Sequence, residues 1–373
     1  MSLIPEISYL NVKIGKHQVG RLAMGKQRLC AFEYDTEWLK NGFSISPFHL
    51  PLEPGLFTAS REPFNGLFGV FSDSLPDGWG NLLIDRWLRE NGTNPANISW
   101  IERLSITGSS GMGALIYEPE VQRGFEAEQR SLDFYAEEVN KILHEEEVES
   151  LDHWIERAGS PGGARPKILM KQSADDTEWL IKFGAPNDPA DIGVLEYTYS
   201  QAAQNAGIIM PETKLFEGRY FGTVRFDRIG DQRLHTITAS GLLNASHRYP
   251  SLDYTDLMKA TLHLTRSIVE VKKIYRQMIF NVLTKNRDDH AKNFSFLYQD
   301  GEWKCTPAYD LVYSIGFNGK HSTTINGKGS PQEKDMLDSG EKAGLSRNVC
   351  REILEEVKTA TTEISAMIDE RFR

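Results

Sequence analysis

The sequence predicts an α+β chain of two or three packed units, and three observations predict it. Residues 1 to about 70 break into short runs at Gly15, Gly20, Gly25, Pro47, Pro51, Pro54 and Gly55, the punctuation of a small, mostly β unit. Val271, Ile274, Tyr275, Met278, Ile279, Val282 and Leu283 fall on the i, i+3, i+4, i+7 series of one helical face. Beyond that helix, Phe294 to Tyr298 and Glu302 to Cys305 are two aromatic-rich runs parted by Asp300-Gly301, the dipeptide of a two-residue hairpin. At 373 residues the chain exceeds the size at which a single core keeps growing, and 40% hydrophobic content supplies globular cores.

The remaining elements follow in order. Trp79 to Glu90 reads as a helix with Asp77 as N-cap and Gly92 as stop, its Trp79, Leu82, Leu83 and Trp87 serving the core. Ser109-Ser110-Gly111-Met112-Gly113 lacks the Gly-Lys-Ser/Thr ending of a P-loop and precedes the strand-like Ala114 to Tyr117, so it reads as a turn. Residues 119 to 130 suit a linker, and Ser131 to Arg157 an acidic helical region with Glu145, Glu146 and Glu147 on a solvated face. Glu178 to Phe183 is strand-like and carries Lys182 among apolar residues; Val194 to Ala206 is helical and carries Glu196.

The chemistry concentrates at Asn286-Arg287-Asp288-Asp289-His290-Ala291-Lys292-Asn293. A loop carboxylate followed five residues later by a carboxamide is the spacing of a phosphotransferase reaction centre. Asp288 would accept the proton of an attacking hydroxyl, and Asn293 would offer a hard oxygen to Mg2+. At roughly 3.3 Å per strand residue, the hairpin returns Pro307-Ala308-Tyr309-Asp310 to the same place, adding a second carboxylate, Asp310, to the site. Helix, catalytic loop, hairpin and metal-binding Asp is the order of protein kinases, although Leu311-Val312 stands where Phe-Gly is usual. The plainer reading of either carboxylate alone is a solvated loop or a cap; the ordered set favours catalysis.

Ser160-Pro161-Gly162-Gly163-Ala164-Arg165-Pro166-Lys167 is a second feature. Gly162 and Gly163 would let backbone N–H groups approach phosphate oxygens, with Lys167 adding charge, against the alternative of a tight surface turn. Arg165, Lys167, Lys182 and Lys292 would form the local basic pocket that a chain of net charge −10 needs to bind an anionic nucleotide. The same charge argues against broad nonspecific binding to nucleic acid. Cys30, Cys305 and Cys350 form neither a disulfide framework nor a zinc site, implying a reducing cytoplasm. No run approaches a membrane span, and no signal-peptide order is present.

Asp288 to Ser295 together with Pro307 to Asp310 resembles the signature of the HipA family of serine/threonine kinase toxins. Phe68 to Gly80 resembles that family's N-terminal signature, Gly159 to Lys167 its nucleotide loop and Val224-Arg225-Phe226-Asp227-Arg228 its interlobe strand. The resemblance runs from about residue 10 to residue 315. It implies a bilobal, protein-kinase-like α+β fold: a β-rich N-terminal subdomain over 1–125, a nucleotide-binding lobe over 126–235 and an all-helical catalytic C-terminal lobe over 236–373. It implies ATP and Mg2+ as cofactors, the metal held by Asn293 and Asp310. ATP would meet Gly162, Gly163, Ala164, Arg165, Lys167, Lys182, His290, Lys292, Asn293, Tyr309 and Asp310, with Val224, Arg225 and Phe226 presenting backbone to adenine. His290 is either structural or a phosphate contact. Glu196 is a candidate partner for Lys182, while Asp227 and Arg228 would tie the lobes together. Ser160 would be an autophosphorylated serine whose added charge repels ATP phosphates. The implied biology is a toxin that phosphorylates a protein such as an aminoacyl-tRNA synthetase. A small helix-turn-helix, HipB-like antitoxin neutralises it, and DNA is reached only through that antitoxin. Two other readings stay open: a small-molecule kinase of the aminoglycoside or lipid type, and a noncatalytic corepressor.

Overall fold

The computed structural model describes residues 7–121, 130–158, 162–172 and 177–372. They form two compact units, Met1–Gly193 with Lys214–Ile237, and Val194–Thr213 with Thr238–Arg373. The sequence between residues 1 and 193 thus contributes to one unit, and residues 194–213 belong with the C-terminal part.

In the first unit, strands β1 (Tyr9–Ile14), β2 (His17–Met24), β3 (Cys30–Tyr34), β4 (Leu56–Thr58) and β5 (Leu115–Glu118) make an antiparallel sheet of order β4-β3-β2-β1-β5. Leu10, Val12, Leu22 and Phe32 are wholly buried, and the buried pairs Leu10 and Val12, Gly20 and Leu22, and Phe32 and Tyr34 each lie two positions apart, as a sheet with one covered face requires. Gly20 is obligatory: a Cβ there would lie 2.3 Å from the Glu33 carbonyl oxygen. Helix Gly78–Glu90 buries Trp79, Leu83 and Trp87, whereas Leu82, expected in the core, is 38% exposed. The acidic region folds as two helices, Leu132–Leu143 and Leu151–Ala158, with Glu145 between them at φ 60°. Trp79 meets Trp154 edge-on at 5.8 Å, and both join Tyr135, Ile168, Trp179 and Ile181 in one core. That core supports a second sheet of order β6-β7-β9-β8, from β6 (Lys167–Lys171), β7 (Glu178–Lys182), β8 (Thr213–Phe216) and β9 (Tyr220–Val224).

The second unit is mainly helical. Helix Ile268–Leu283 presents the expected face, burying Val271, Ile274, Tyr275, Met278 and Ile279, and packs on helix Tyr254–Thr265. The expectation of an all-helical C-terminal lobe is corrected in detail. The hairpin Ser295–Gln299 with Glu302–Cys305 lies here, and Leu252–Asp253 pairs in parallel with Thr323–Thr324. Asp300 and Gly301 take φ of 55° and 81°, the two positive values that a tight hairpin turn demands and that Asp-Gly tolerates. Helices Glu333–Lys342, Arg347–Ala360 and Thr362–Arg371 complete the unit.

Candidate functional site

The first unit places its glycine loop against the start of a helix. The Gly163 N–H donates to Asp77 Oδ2 at 3.2 Å, and the Trp79 indole donates to the Lys167 carbonyl at 3.2 Å. Asp77 occupies the N-cap position but its side chain makes no capping bond. Gly163 has φ 101°, and a Cβ on Gly162 would sit 2.8 Å from Asp77 Oδ2. The positive φ of Gly163 favours glycine, while the Gly162 contact falls on the end of the Asp77 side chain, which can give way. At least one N–H expected to face phosphate is directed to a carboxylate. Lys167 is buried and donates to the Gly162 carbonyl, closing the loop. Arg165 holds Asp188 in a bidentate pair at 2.9 and 3.0 Å. Ala164 sits against Gly78, where an added Cβ would come within 3.2 Å of Ala164 Cβ. Ser160 lies outside the described residues.

β6 and β7 pair so that Lys167 stands opposite Lys182. Lys182 is 8% exposed, and its ammonium lies 5.5 Å from the centre of the Phe221 ring. Val224 pairs with Trp179, and the Arg225 N–H donates to the Glu178 carbonyl, so this segment extends the β7–β9 ladder. The Arg225 side chain is committed elsewhere: to Glu178 at 2.6 Å and Asp227 at 2.8 Å. Asp227, 3% exposed, also accepts from Arg228 and from the Gly113 N–H at 2.7 Å. Burial would raise its carboxyl, but Arg225, Arg228 and Gly113 outweigh burial and hold it down at about 2. Arg228 and Arg233 reach the Gly111 and Gly113 carbonyls, so the 109–113 turn is clamped by arginines. Asp227 and Arg228, expected to tie two lobes together, make these bonds within the first unit.

The second unit builds the Asp-x-x-x-x-Asn loop. Helix Ile268–Leu283 ends at Thr284, and Asn286 turns back to bond Asn281 through backbone and side chain. The adjacent carboxylates then separate: Asp288 is exposed, whereas Asp289 is fully buried. Asp289 accepts from the Tyr254 hydroxyl at 2.9 Å, from His321 Nδ1 at 2.8 Å and from the Ser322 and Thr323 N–H groups at 2.8 and 3.3 Å. A carboxylate removed from water needs that many donors. It pins the loop so that Asp288 faces solvent.

Asn293 donates its amide to the Asp288 backbone carbonyl at 2.7 Å. An amide that spends its NH2 in this way leaves its oxygen as the group to offer a hard cation. Tyr309 bonds the Lys292 carbonyl at 2.7 Å and the Ser295 hydroxyl, which brings the hairpin's return beside the loop. Asp310 follows at φ 55°, a backbone turn that redirects its side chain relative to the strand. His290 stacks edgewise 6.1 Å from His247, and its buried Nδ1 has no hydrogen-bond partner among the described residues. An orphaned ring nitrogen beside a solvent-facing carboxylate fits a site that receives a polar ligand. Among the described residues no group of three His, Cys, Asp or Glu could hold a metal. A Mg2+ site of one carboxylate, one carboxamide and substrate phosphates needs no such group.

Sequence reasoning did not foresee the side-chain partners of Asp77, Asp188 and Asp289. All three are held by partners distant in sequence. Cys30, Cys305 and Cys350 are free and buried. No described helix is long and apolar enough to cross a membrane.

Known proteins resemble this chain in sequence and fold. Residues 10–118 match the HipA N-terminal domain, and residues 159–364 match the HipA-like C-terminal domain. The relative Y4mE of Sinorhizobium fredii is 26% identical over 83% of this chain and 78% of its own. The serine/threonine-protein kinase toxin HipA of Shewanella oneidensis is 22% identical over 81% of this chain and 74% of its own. A solved Shewanella oneidensis complex of HipA, HipB and operator DNA contains a chain with the same fold. It aligns with a TM-score of 0.72 at 20% identity, covering 96% of this chain and 90% of that one. With the C-terminal model alone matching residues 159–364, more than half of the sequence, the chain belongs to the HipA family.

Proposed function

We propose that the chain is an ATP-dependent serine/threonine-protein kinase. The observation that carries this reading is the second unit's loop: an exposed Asp288, a buried Asp289 fixing it, and Asn293 bonded to the Asp288 carbonyl at 2.7 Å. In this reading Asp288 takes the proton of the attacking hydroxyl. Asn293 and Asp310 would hold Mg2+, which supplies charge neutralisation for the transferred phosphoryl group. The first unit would contribute Lys182 to the α and β phosphates, the 162–167 loop to the phosphates and the backbone around Val224, Arg225 and Phe226 to adenine. Glu196 would orient Lys182. Ser160 would accept a phosphate that shuts off nucleotide binding.

The relatives support a toxin paired with a HipB-like antitoxin that reaches DNA; a protein substrate of the aminoacyl-tRNA synthetase kind belongs to this proposal alone. The test is incubation of purified protein with labelled ATP and lysate, followed by phosphosite mapping. Phosphoprotein formation dependent on Asp288 supports the reading. Label found only on small molecules contradicts it. Expression without an antitoxin is expected to arrest growth, and Asp288→Asn to relieve the arrest at equal protein level.

A further inference from the structure

The second unit contains a cavity of about 170 Å³ between helix Ile268–Leu283, the 207–209 segment and the strand that returns to Asp310. Its apolar wall is Ile208, Ile274, Phe294 and Pro307, and its polar members include Lys272 and Gln277. Gln277 is 6% exposed, yet its side-chain amide has no hydrogen-bond partner among the described residues. Its amide nitrogen and oxygen stay accessible to water, so they are open to bond an occupant of the cavity. The charges at the wall are unbalanced. Lys273 is paired with Glu270 and Arg276 with Glu356, while Lys272 has no ion pair among the described residues. One positive charge therefore remains beside a water-accessible amide and an apolar surface.

We infer that this cavity binds a small carboxylate with an apolar body. The body packs between Ile208, Ile274, Phe294 and Pro307; the carboxylate accepts from the Gln277 amide and faces Lys272. Concave, mainly apolar walls with one or two converging polar groups are the usual composition of a small-molecule site. The cavity also touches Asn293 and Ala308, so an occupant contacts chain on both sides of the hairpin that carries Asp310. Binding itself does not rest on the kinase reading.

The test is titration of the full chain by calorimetry and ligand-observed NMR with benzoate, cyclohexanecarboxylate and hexanoate, each against its neutral primary amide. Saturable binding of at least one carboxylate is expected, with a dissociation constant on the order of 1 mM or tighter. Its amide should bind about tenfold more weakly or worse. Gln277→Met, similar in volume and without polar hydrogen-bonding groups, should weaken that carboxylate at least about tenfold. Lys272→Met, on the more exposed side of the helix, gives a second variant should the first fail to fold. No saturable binding of any of the three carboxylates overturns the inference. Equal affinity for acid and amide, or unchanged affinity in a folded variant, also overturns it.

Discussion

Asn293 donates its side-chain amide to the backbone carbonyl of Asp288 at 2.7 Å. This one bond sets two groups at once: it fixes the loop's span from carboxylate to carboxamide, and it selects the oxygen of Asn293 as the atom offered outward. The residue between the two functions that most constrains them is Asp289, which carries no chemistry of its own.

Asp289→Ala should therefore damage stability before chemistry. It would strip a fully buried acceptor from Tyr254, His321 and two backbone N–H groups. A loss of about 3–5 kcal/mol is expected for breaking such a buried set. Denaturant unfolding of the variant should show a lowered midpoint. A midpoint within error of the parent would remove Asp289 from the anchoring role.

Asp310→Ala should behave differently. The side chain belongs to the proposed metal pair, so fold is retained while the Mg2+-dependent part of nucleotide affinity falls. Calorimetry with ATP in the presence and absence of Mg2+ measures this directly. Equal affinity with Mg2+ in parent and variant would exclude Asp310 from the metal site.

Much of this site was legible because it depends on local rules. Asp300-Gly301 specified the hairpin through the two positive φ values it tolerates, and the hairpin's length brought Tyr309 back to the Lys292 carbonyl. Asp77 was legible in position but not in its side-chain partner. Its position matches an N-cap, but its side chain meets Gly163, 86 residues away, and no local pattern encodes that contact. Asp288 and Asp289 are identical in type and adjacent. Which of them is buried is decided by Tyr254 and His321, 35 and 32 residues distant. Leu82 fell outside the core because the covered face of its helix is set by Trp79, Leu83 and Trp87, one residue out of phase with it.

Stability should fall with acid, and His235 gives the window. Its Nε2 donates to the Ile45 carbonyl at 2.8 Å within a fully buried pocket, and burial lowers its pKa from 6.5 to about 4. Between those values the unfolded imidazole binds a proton that the folded one refuses. The stabilisation is complete above about pH 6.5 and is lost as pH drops toward 4, by roughly 3 kcal/mol in all. Asp227, held at about 2, extends the same trend to lower pH. Unfolding free energy measured from pH 7 to pH 4 should show this slope, and His235→Gln should flatten it. A slope unchanged in the variant would assign the acid sensitivity to other groups.

Phosphate on Ser160 should oppose nucleotide binding. The neighbouring loop already directs the Gly163 N–H to Asp77 and the Lys167 ammonium to the Gly162 carbonyl. A further −1.5 to −2 charge, approximately, would repel ATP phosphates from the same segment. Ser160→Asp is expected to bind ATP at least about tenfold more weakly by calorimetry. Unchanged affinity would mean that this loop does not hold the nucleotide.

The central claim is that Asp288 performs the proton acceptance of phosphoryl transfer. The direct measurement is single-turnover transfer from labelled ATP, together with ATP affinity, for the parent and Asp288→Asn. The variant is nearly isosteric, and the backbone carbonyl that Asn293 bonds is retained. ATP affinity should hold within a few-fold, while transfer falls by ~10²-fold or more. Transfer at the parental rate with intact ATP binding would contradict the claim.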